Sequence, residues 1–152
     1  MANISAVLFD LDETLLDRTQ SLTRFVQAQY QRFYPHFHHV PPDIFLQRFV
    51  ELDAQGAVWK DKVYQLLIVE QKIVGIGWEE LLDDYVAHFA DSCVGFPHLH
   101  KMLSALVARG YRLGIVTNGR SPFQERNIAS LGILNYFSTV MVSDAEGVRK
   151  PN

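Results

Sequence analysis

A length of 152 residues admits one ordinary domain, or a small core carrying an insertion, and a composition 48% hydrophobic and 12% aromatic excludes a disordered chain. The formal net charge of −3 excludes the basic footprint of a nucleic-acid binder, and no apolar stretch reaches membrane-spanning length or follows a basic N-terminal region as a secretion signal would. Cys93, the single cysteine, excludes an intramolecular disulfide framework and leads us to expect a reducing, cytoplasmic setting, with the thiol packed as a small hydrophobe.

The first element is the stretch AVLF, residues 6–9, a continuous apolar run without alternation. It predicts a strand covered on both faces, as in a parallel sheet flanked by helices. The run breaks into FDLDETL, where Asp10 and Asp12 stand two positions apart and Thr14 follows. Ligands of open α/β sheets sit just beyond the carboxyl ends of the strands, where these residues fall. A lone Asp or Thr there would serve as a turn or helix cap. Two carboxylates at i and i+2 repel each other unless a cation or a reaction uses them, so the spacing points to chemistry.

For about the next seventy residues the spacing is helical. Leu22, Phe25, Val26 and Phe33 form one stripe, and Phe45, Phe49 and Leu52 a second. Val63, Leu66, Leu67 and Val74 form a third; Trp78, Leu81, Leu82, Tyr85, Val86 and Phe89 form a fourth. Breaks fall at Pro35–Pro42, Gly56 and Gly75–Gly77, so a small helical bundle is expected, its aromatic stripes serving as core. The cluster HFHH (His36, His38, His39) invites a metal reading, but it lacks a nearby cysteine and an i, i+4 histidine pair, and a solvated loop is expected.

From Gly95 the pattern returns to α/β. Leu99, Met102, Leu103, Leu106 and Val107 predict an amphipathic helix closed by Gly110. YRLGIVTNG predicts a second strand turning at Asn118 and Gly119, and Ser121 then Pro122 predict a helix start, cap and first residue, with a stop near Gly132. STVMVSD predicts a third strand, and AEGVRKPN a loop. Strands alternating with helices imply right-handed crossovers and a parallel sheet, here a Rossmann-like α/β core of residues 1–17 and 95–152 into which residues 18–94 are inserted as a helical domain. Asp10 with Asp12, Thr117 with Asn118, and Arg149 with Lys150 would then converge at one edge of the sheet.

This set resembles the haloacid dehalogenase-like hydrolase superfamily along the whole chain. FDLDETL is similar to its first motif, D-x-D-x-T; IVTNG to its second, a strand ending in Thr or Ser; and GVRKP to its third, centred on Lys. The insertion after the first strand matches the place of the family's all-helical cap, to which substrate selectivity belongs. The resemblance implies a Mg²⁺-dependent phosphatase acting on a small phosphorylated metabolite. Asp10 would be the nucleophile that forms an aspartyl-phosphate, because a carboxylate can approach a phosphoryl group only where cations screen the repulsion. Asp10 and the main-chain carbonyl of Asp12 would hold Mg²⁺, while the Asp12 side chain would protonate the leaving oxygen and then activate water. Thr117 and the Asn118 amide would bind phosphate oxygens, and Lys150 would neutralise charge on nucleophile and phosphoryl group. Thr14 would brace the turn, and Glu13 would be solvated. The acid at Asp12 favours phosphate esters over halide displacement, whose leaving group needs no proton.

The family's fourth motif, an acidic pair after a fourth strand that completes the Mg²⁺ shell, does not occur before Asn152. Asp144 and Glu146 lie in the loop leading to Lys150 and are not expected to replace it. The chain is accordingly expected to be part of a longer protein, inactive and weak in Mg²⁺ binding alone, and able to self-associate through the open edge of the first strand. Two other readings are a catalytically dead phosphate-binding or regulatory module and a phospho-accepting receiver-like domain, the latter disfavoured by the long helical insertion.

Overall fold

The computed structural model describes residues 4–151. In chain order the elements are β1 (Ala6–Phe9); helices α1 (Arg18–Arg32), α2 (Tyr34–Phe37), α3 (Pro42–Asp53), α4 (Lys60–Glu70) and α5 (Trp78–His88); then α6 (Leu99–Ala108), β2 (Arg112–Thr117), α7 (Phe123–Ser130), β3 (Thr139–Val142) and α8 (Ser143–Glu146). Single 3₁₀ turns occupy Ala54–Gly56, Phe89–Ser92 and Leu134–Tyr136. The chain divides into two compact units, Met1–Arg18 with Cys93–Asn152, and Thr19–Ser92.

The first unit is α/β. Its strands form a parallel sheet in the order β1-β2-β3, with Phe9 opposite Ile115 and Thr117 opposite Val142. Leu113 and Ile115, two apart and so on one face of β2, pack with Leu99 and Leu103 of α6, Ile128 of α7, and Leu11, Leu15 and Leu16 from the turn after β1. Each fully buried Leu or Ile contributes about 1.5–3 kcal/mol, so this cluster dominates the unit's stability.

Among the described residues the opposite face of the sheet is left largely uncovered, where the unbroken apolar run of β1 predicts cover on both sides. Leu8 is 69% and Met141 40% exposed. The strand order supplies the reason. A parallel sheet that grows steadily in one direction through right-handed crossovers places its helices on one face, and a second covered face requires the order to reverse. Between them Gly114 lets Leu8 lie close against the sheet, since a Cβ there would stand 2.7 Å from Leu8 Cδ2. The outer edge of β1 is paired with no other described strand.

Helix ends depart from expectation by a residue or two. The amide of Gly110, at φ +84°, closes α6 on the Val107 carbonyl as foreseen. Helix α7 begins at Phe123 with Pro122 in the capping position, and the Ser121 hydroxyl donates instead to Glu125 Oε1 at 2.6 Å. The segment after β3 is one helical turn, α8, where the end of the strand (Ser143 and Asp144) and the start of a loop (Ala145 and Glu146) were expected.

The second unit is helical, and no strand occurs among its described residues. Phe25, Phe37, Phe45, Phe49, Tyr64, Leu67, Leu81, Tyr85 and Phe89 form its core, with Phe37 stacked on Phe45 at 4.6 Å and Tyr85 edge-on to Phe25 at 5.1 Å. Leu66 and Val74 lie outside this core, at 46% and 75% exposure. Helix α4 buries Lys60, Val63, Tyr64 and Leu67, which leaves Leu66 on its far side, and Val74 follows the helix's end, where its period no longer applies. His36 and Phe37 of the HFHH cluster close α2, and His38 and His39 follow in an exposed turn. Phe37 is buried, His36 Nδ1 lies 3.1 Å from the Val74 carbonyl and His39 Nε2 lies 2.8 Å from that of Gln71.

No described helix is long and apolar enough to cross a membrane.

Candidate active site

The turn after β1 is built around one buried residue. Leu11 is fully buried, and its carbonyl accepts from the amides of Thr14 (3.2 Å), Leu15 (2.9 Å) and Leu16 (3.0 Å). Drawing Leu11 inward leaves its neighbours Asp10 and Asp12 outside the apolar core, at the carboxyl end of the strand. Glu13 adopts φ +57°, which closes the turn, and Thr14 is exposed.

Asp10 is half-exposed, and its Oδ1 accepts from the Leu11 amide at 2.8 Å and from Lys150 Nζ at 2.9 Å. Its other oxygen has no partner among the described residues. Lys150 Nζ also donates to the Val116 carbonyl at 2.8 Å. The backbone of Lys150 is clamped by the Asn118 side chain: its amide donates to Asn118 Oδ1 at 2.9 Å, and Asn118 Nδ2 donates back to its carbonyl at 3.3 Å. Thus the loop following β3 is tied to the end of β2, and the ammonium to the carboxylate after β1. Two further bonds hold the same loops together, Gly119 N to Ser143 Oγ at 3.1 Å and Ser121 N to Asp144 Oδ2 at 3.1 Å.

Asp12 faces a different environment. Its carboxyl is pushed above the usual carboxylate range, chiefly by burial, against the opposing pull of a hydrogen bond from Gln124 Nε2 at 2.9 Å. Gln124 Nε2 also donates to Thr117 Oγ1 at 3.1 Å. Thr117, 1% exposed, ends the core-facing row Leu113, Ile115, Thr117.

Of the residues singled out in the sequence, Asp10, Asp12, Thr117, Asn118 and Lys150 therefore fall in one bonded set, while Arg149 is exposed and enters no contact of that set. Gln124 and the side-chain role of Asn118 went unforeseen. A signal for the former existed: Gln124, Asn127 and Ile128 are spaced i, i+3, i+4, so two amides occupy the inward stripe of a short helix.

The chemistry available is that of a half-exposed carboxylate beside an ammonium, with a second carboxyl whose pKa is raised by burial and a hydroxyl close by. A donor set of carboxylate and carbonyl oxygens suits a hard cation such as Mg²⁺, which takes one or two carboxylates and keeps several waters. The uncommitted oxygen of Asp10 fits that demand. No group of three or more His, Cys, Asp or Glu able to hold a metal occurs among the described residues, so protein ligands there would form only part of a shell.

The chain is similar to several known proteins. Phosphoglycolate phosphatase of Yersinia pseudotuberculosis is 29% identical over 152 residues, covering 98% of this chain and 63% of its own length. That of Salmonella typhimurium is 30% identical over 168 residues, covering 100% and 66%. Glyceraldehyde 3-phosphate phosphatase of Methanothermobacter thermautotrophicus is 27% identical over 159 residues, covering 98% and 67%. The chain thus spans roughly two thirds of the length of these relatives, 63% of the first. Among solved structures, the magnesium-bound HAD-hydrolase YfnB from Bacillus subtilis has the same fold (TM-score 0.73, 19% identity, 99% of this chain and 68% of that one). So does L-2-haloacid dehalogenase from Xanthobacter autotrophicus (TM-score 0.60, 22% identity, 99% and 61%), so the fold itself does not select the reaction. The haloacid dehalogenase-like hydrolase profile matches residues 7–152, and the chain belongs to that family.

Proposed function

We propose that the protein is a Mg²⁺-dependent phosphatase of small phosphorylated metabolites that works through an aspartyl-phosphate on Asp10. The observation that carries this reading is the 2.9 Å contact between Lys150 Nζ and Asp10 Oδ1, which sets a cation beside the nucleophilic carboxylate and offsets its charge. The α/β unit serves as hydrolase core and the helical unit as cap.

In the first half-reaction an Asp10 oxygen forms a bond to phosphorus as the ester P–O bond breaks, and Asp12 delivers its proton to the departing oxygen. The upward shift of the Asp12 pKa, caused chiefly by burial, lies in the direction this task requires. In the second, Asp12, now a carboxylate, takes a proton from water as that water's oxygen bonds to phosphorus, which releases inorganic phosphate and restores Asp10. Thr117 and the main-chain amide of Asn118 hold phosphoryl oxygens, and Lys150 offsets charge throughout. The Asp10 carboxylate and the Asp12 carbonyl would hold Mg²⁺, which supplies further charge neutralisation at the phosphoryl group.

The named activities of the relatives make two- and three-carbon phosphates, including phosphoglycolate and glyceraldehyde 3-phosphate, the first substrates to try. The test is release of phosphate from a panel of sugar phosphates, nucleotides and short phospho-acids by the full natural chain, with and without Mg²⁺, followed by acid quench and mass mapping of the phosphorylated residue. Turnover that needs Mg²⁺ and labels Asp10 is expected. Turnover with label elsewhere, or binding of phosphate without turnover of any ester, would overturn the reading, the latter in favour of a dead binding module.

A further inference from the structure

We propose that Gln124 is the positioning residue of this site, orienting the Asp12 carboxylate and the Thr117 hydroxyl through the two hydrogens of one buried amide. The inference rests on the reading of Asp12 as acid and base and of Thr117 as a phosphoryl ligand. Gln124 is 4% exposed, and its Nε2 donates to Asp12 Oδ2 at 2.9 Å and to Thr117 Oγ1 at 3.1 Å, which uses both amide hydrogens. Its Oε1 accepts from Asn127 Nδ2 at 3.0 Å, and Asn127 is itself buried. That third bond fixes the sense of the amide. Turned the other way, Gln124 would set an oxygen against the Asp12 carboxylate and a nitrogen against the Asn127 donor, two repulsive contacts, and only the Thr117 hydroxyl could adapt to the change.

Two consequences follow for the groups being held. With Oδ2 of Asp12 bound, Oδ1 is the oxygen left to exchange a proton with substrate and water. With Thr117 Oγ1 already accepting, its own hydrogen is left to donate, and in the structure it goes only to the Asn118 carbonyl at a long 3.4 Å, a bond that a phosphoryl oxygen could replace. A phosphoryl oxygen would meet a hydroxyl whose polarity is preset. Gly119 makes room for the arrangement: a Cβ there would stand 2.6 Å from Gln124 Cγ and 2.9 Å from Nε2.

Three variants test this. Gln124→Met removes the donors at similar volume, Gln124→Glu replaces them with oxygen, and Gly119→Ala keeps the amide but displaces it. Each should fold, as judged by circular dichroism and thermal melting. Each should lower kcat on an alkyl phosphate about 10- to 100-fold, the scale on which a misplaced catalytic group acts. The loss in the step that phosphorylates Asp10, followed by single-turnover quench, should be smaller on a nitrophenyl phosphate, whose leaving group needs no proton. Equal losses on both esters in that step would mark a merely structural residue and overturn the proposal. A readout without turnover uses the ¹⁵N-resolved side-chain amide protons of Gln124, assigned by their disappearance in Gln124→Met. One should shift in Asp12→Ala and the other in Thr117→Val. Protons unmoved in both would overturn the proposal whatever the kinetics, whereas protons that shift in a protein that turns over no ester would uphold the placement and sink the phosphatase reading instead.

Discussion

The two units bury polar groups in opposite ways. In the helical unit the buried groups close upon one another. Gln29 donates to the Leu81 carbonyl at 3.1 Å and to Asp84 at 2.9 Å and accepts from Tyr64 at 2.8 Å, while Lys60 pairs with Asp53. In the α/β unit a chain of buried amides, Asn127 to Gln124, ends on Asp12 and Thr117 at the carboxyl edge of the sheet, beside the half-exposed pair of Asp10 and Lys150. A closed network serves architecture, because every donor is spent inside it. An open one holds charge in place for something that is not protein. Removing members of the first should therefore cost stability, and removing members of the second should cost chemistry.

The largest effect is expected at Asp10. Asp10→Asn keeps the shape and removes the nucleophile, so turnover should fall by about 10⁴-fold or more, the scale of losing a nucleophile that acts as part of a unit. The melting temperature should hardly move. Substantial turnover, with mass spectrometry showing no deamidation back to Asp, would remove Asp10 from its role and break the comparison. Asp12→Asn comes next, with about 10²- to 10⁴-fold slower turnover, as befits one group used first as acid and then as base. Its stability has a sign that can be checked. Burial raises the Asp12 pKa above the unfolded value, so between the two values the folded state binds more protons, and the stabilising share of Asp12 is present at low pH and lost as pH rises through the folded pKa. The Asn variant lacks that loss and should equal or exceed the parent in stability at pH 7, an unlikely outcome for a residue whose role is structural.

How far these roles could be read from sequence depends on how local their causes are. Which strands deliver acids, hydroxyl and lysine is written in short motifs, each an apolar run followed by its polar end. The fold class follows from the same alternation. Gln124 was silent because its meaning lies in Asp12 and Thr117, and Asp12 is 112 positions away in the chain. The exposure of Leu8 among the described residues has a similar cause. An unbroken apolar run records that a strand is suited to two-sided cover, whereas the direction in which the sheet grows decides whether described helices supply it. Leu66 shows the same limit at smaller scale, since a stripe at helical spacing has neighbours that lie just off the packed side.

In the helical unit the matching test is Lys60→Met. Lys60 and Asp53 are both buried, and Lys60 Nζ lies 5.2 Å from the centre of the Tyr85 ring. The substitution keeps the aliphatic bulk and strands a carboxylate, which should destabilise by about 3–5 kcal/mol in urea unfolding, a loss that salt does little to repair. Phosphate-ester turnover measured well below the melting point should stay within a few-fold of the parent. A variant that unfolds normally yet turns over poorly would place Lys60 in the chemistry and dissolve the contrast between the units.

The smallest effect is expected at Arg48, whose ion pairs are the helical unit's exposed counterpart of that buried pair. Arg48 bridges α3 to α4, with Nε and Nη2 donating to the two carboxylate oxygens of Glu70 at 2.7 and 2.9 Å and Nη1 to Glu51 at 2.9 Å. Hydrogen bonds from Arg48 hold both glutamates below the usual carboxylate range, with Gln47 adding to the effect on Glu51. Groups with depressed folded pKa values contribute stability that is full above their unfolded pKa, about 4.3 for Glu, and fades as pH falls through the folded values. Arg48→Gln should therefore lower the melting temperature slightly at pH 7 in low salt, and the difference should close both in 1 M salt and on acidification through the folded pKa values of the two glutamates. A deficit that persists in high salt would mean that the aliphatic stem of Arg48, rather than its charge, fastens α3 to α4, and the arginine would then belong with the closed, buried architecture instead of the solvated rim.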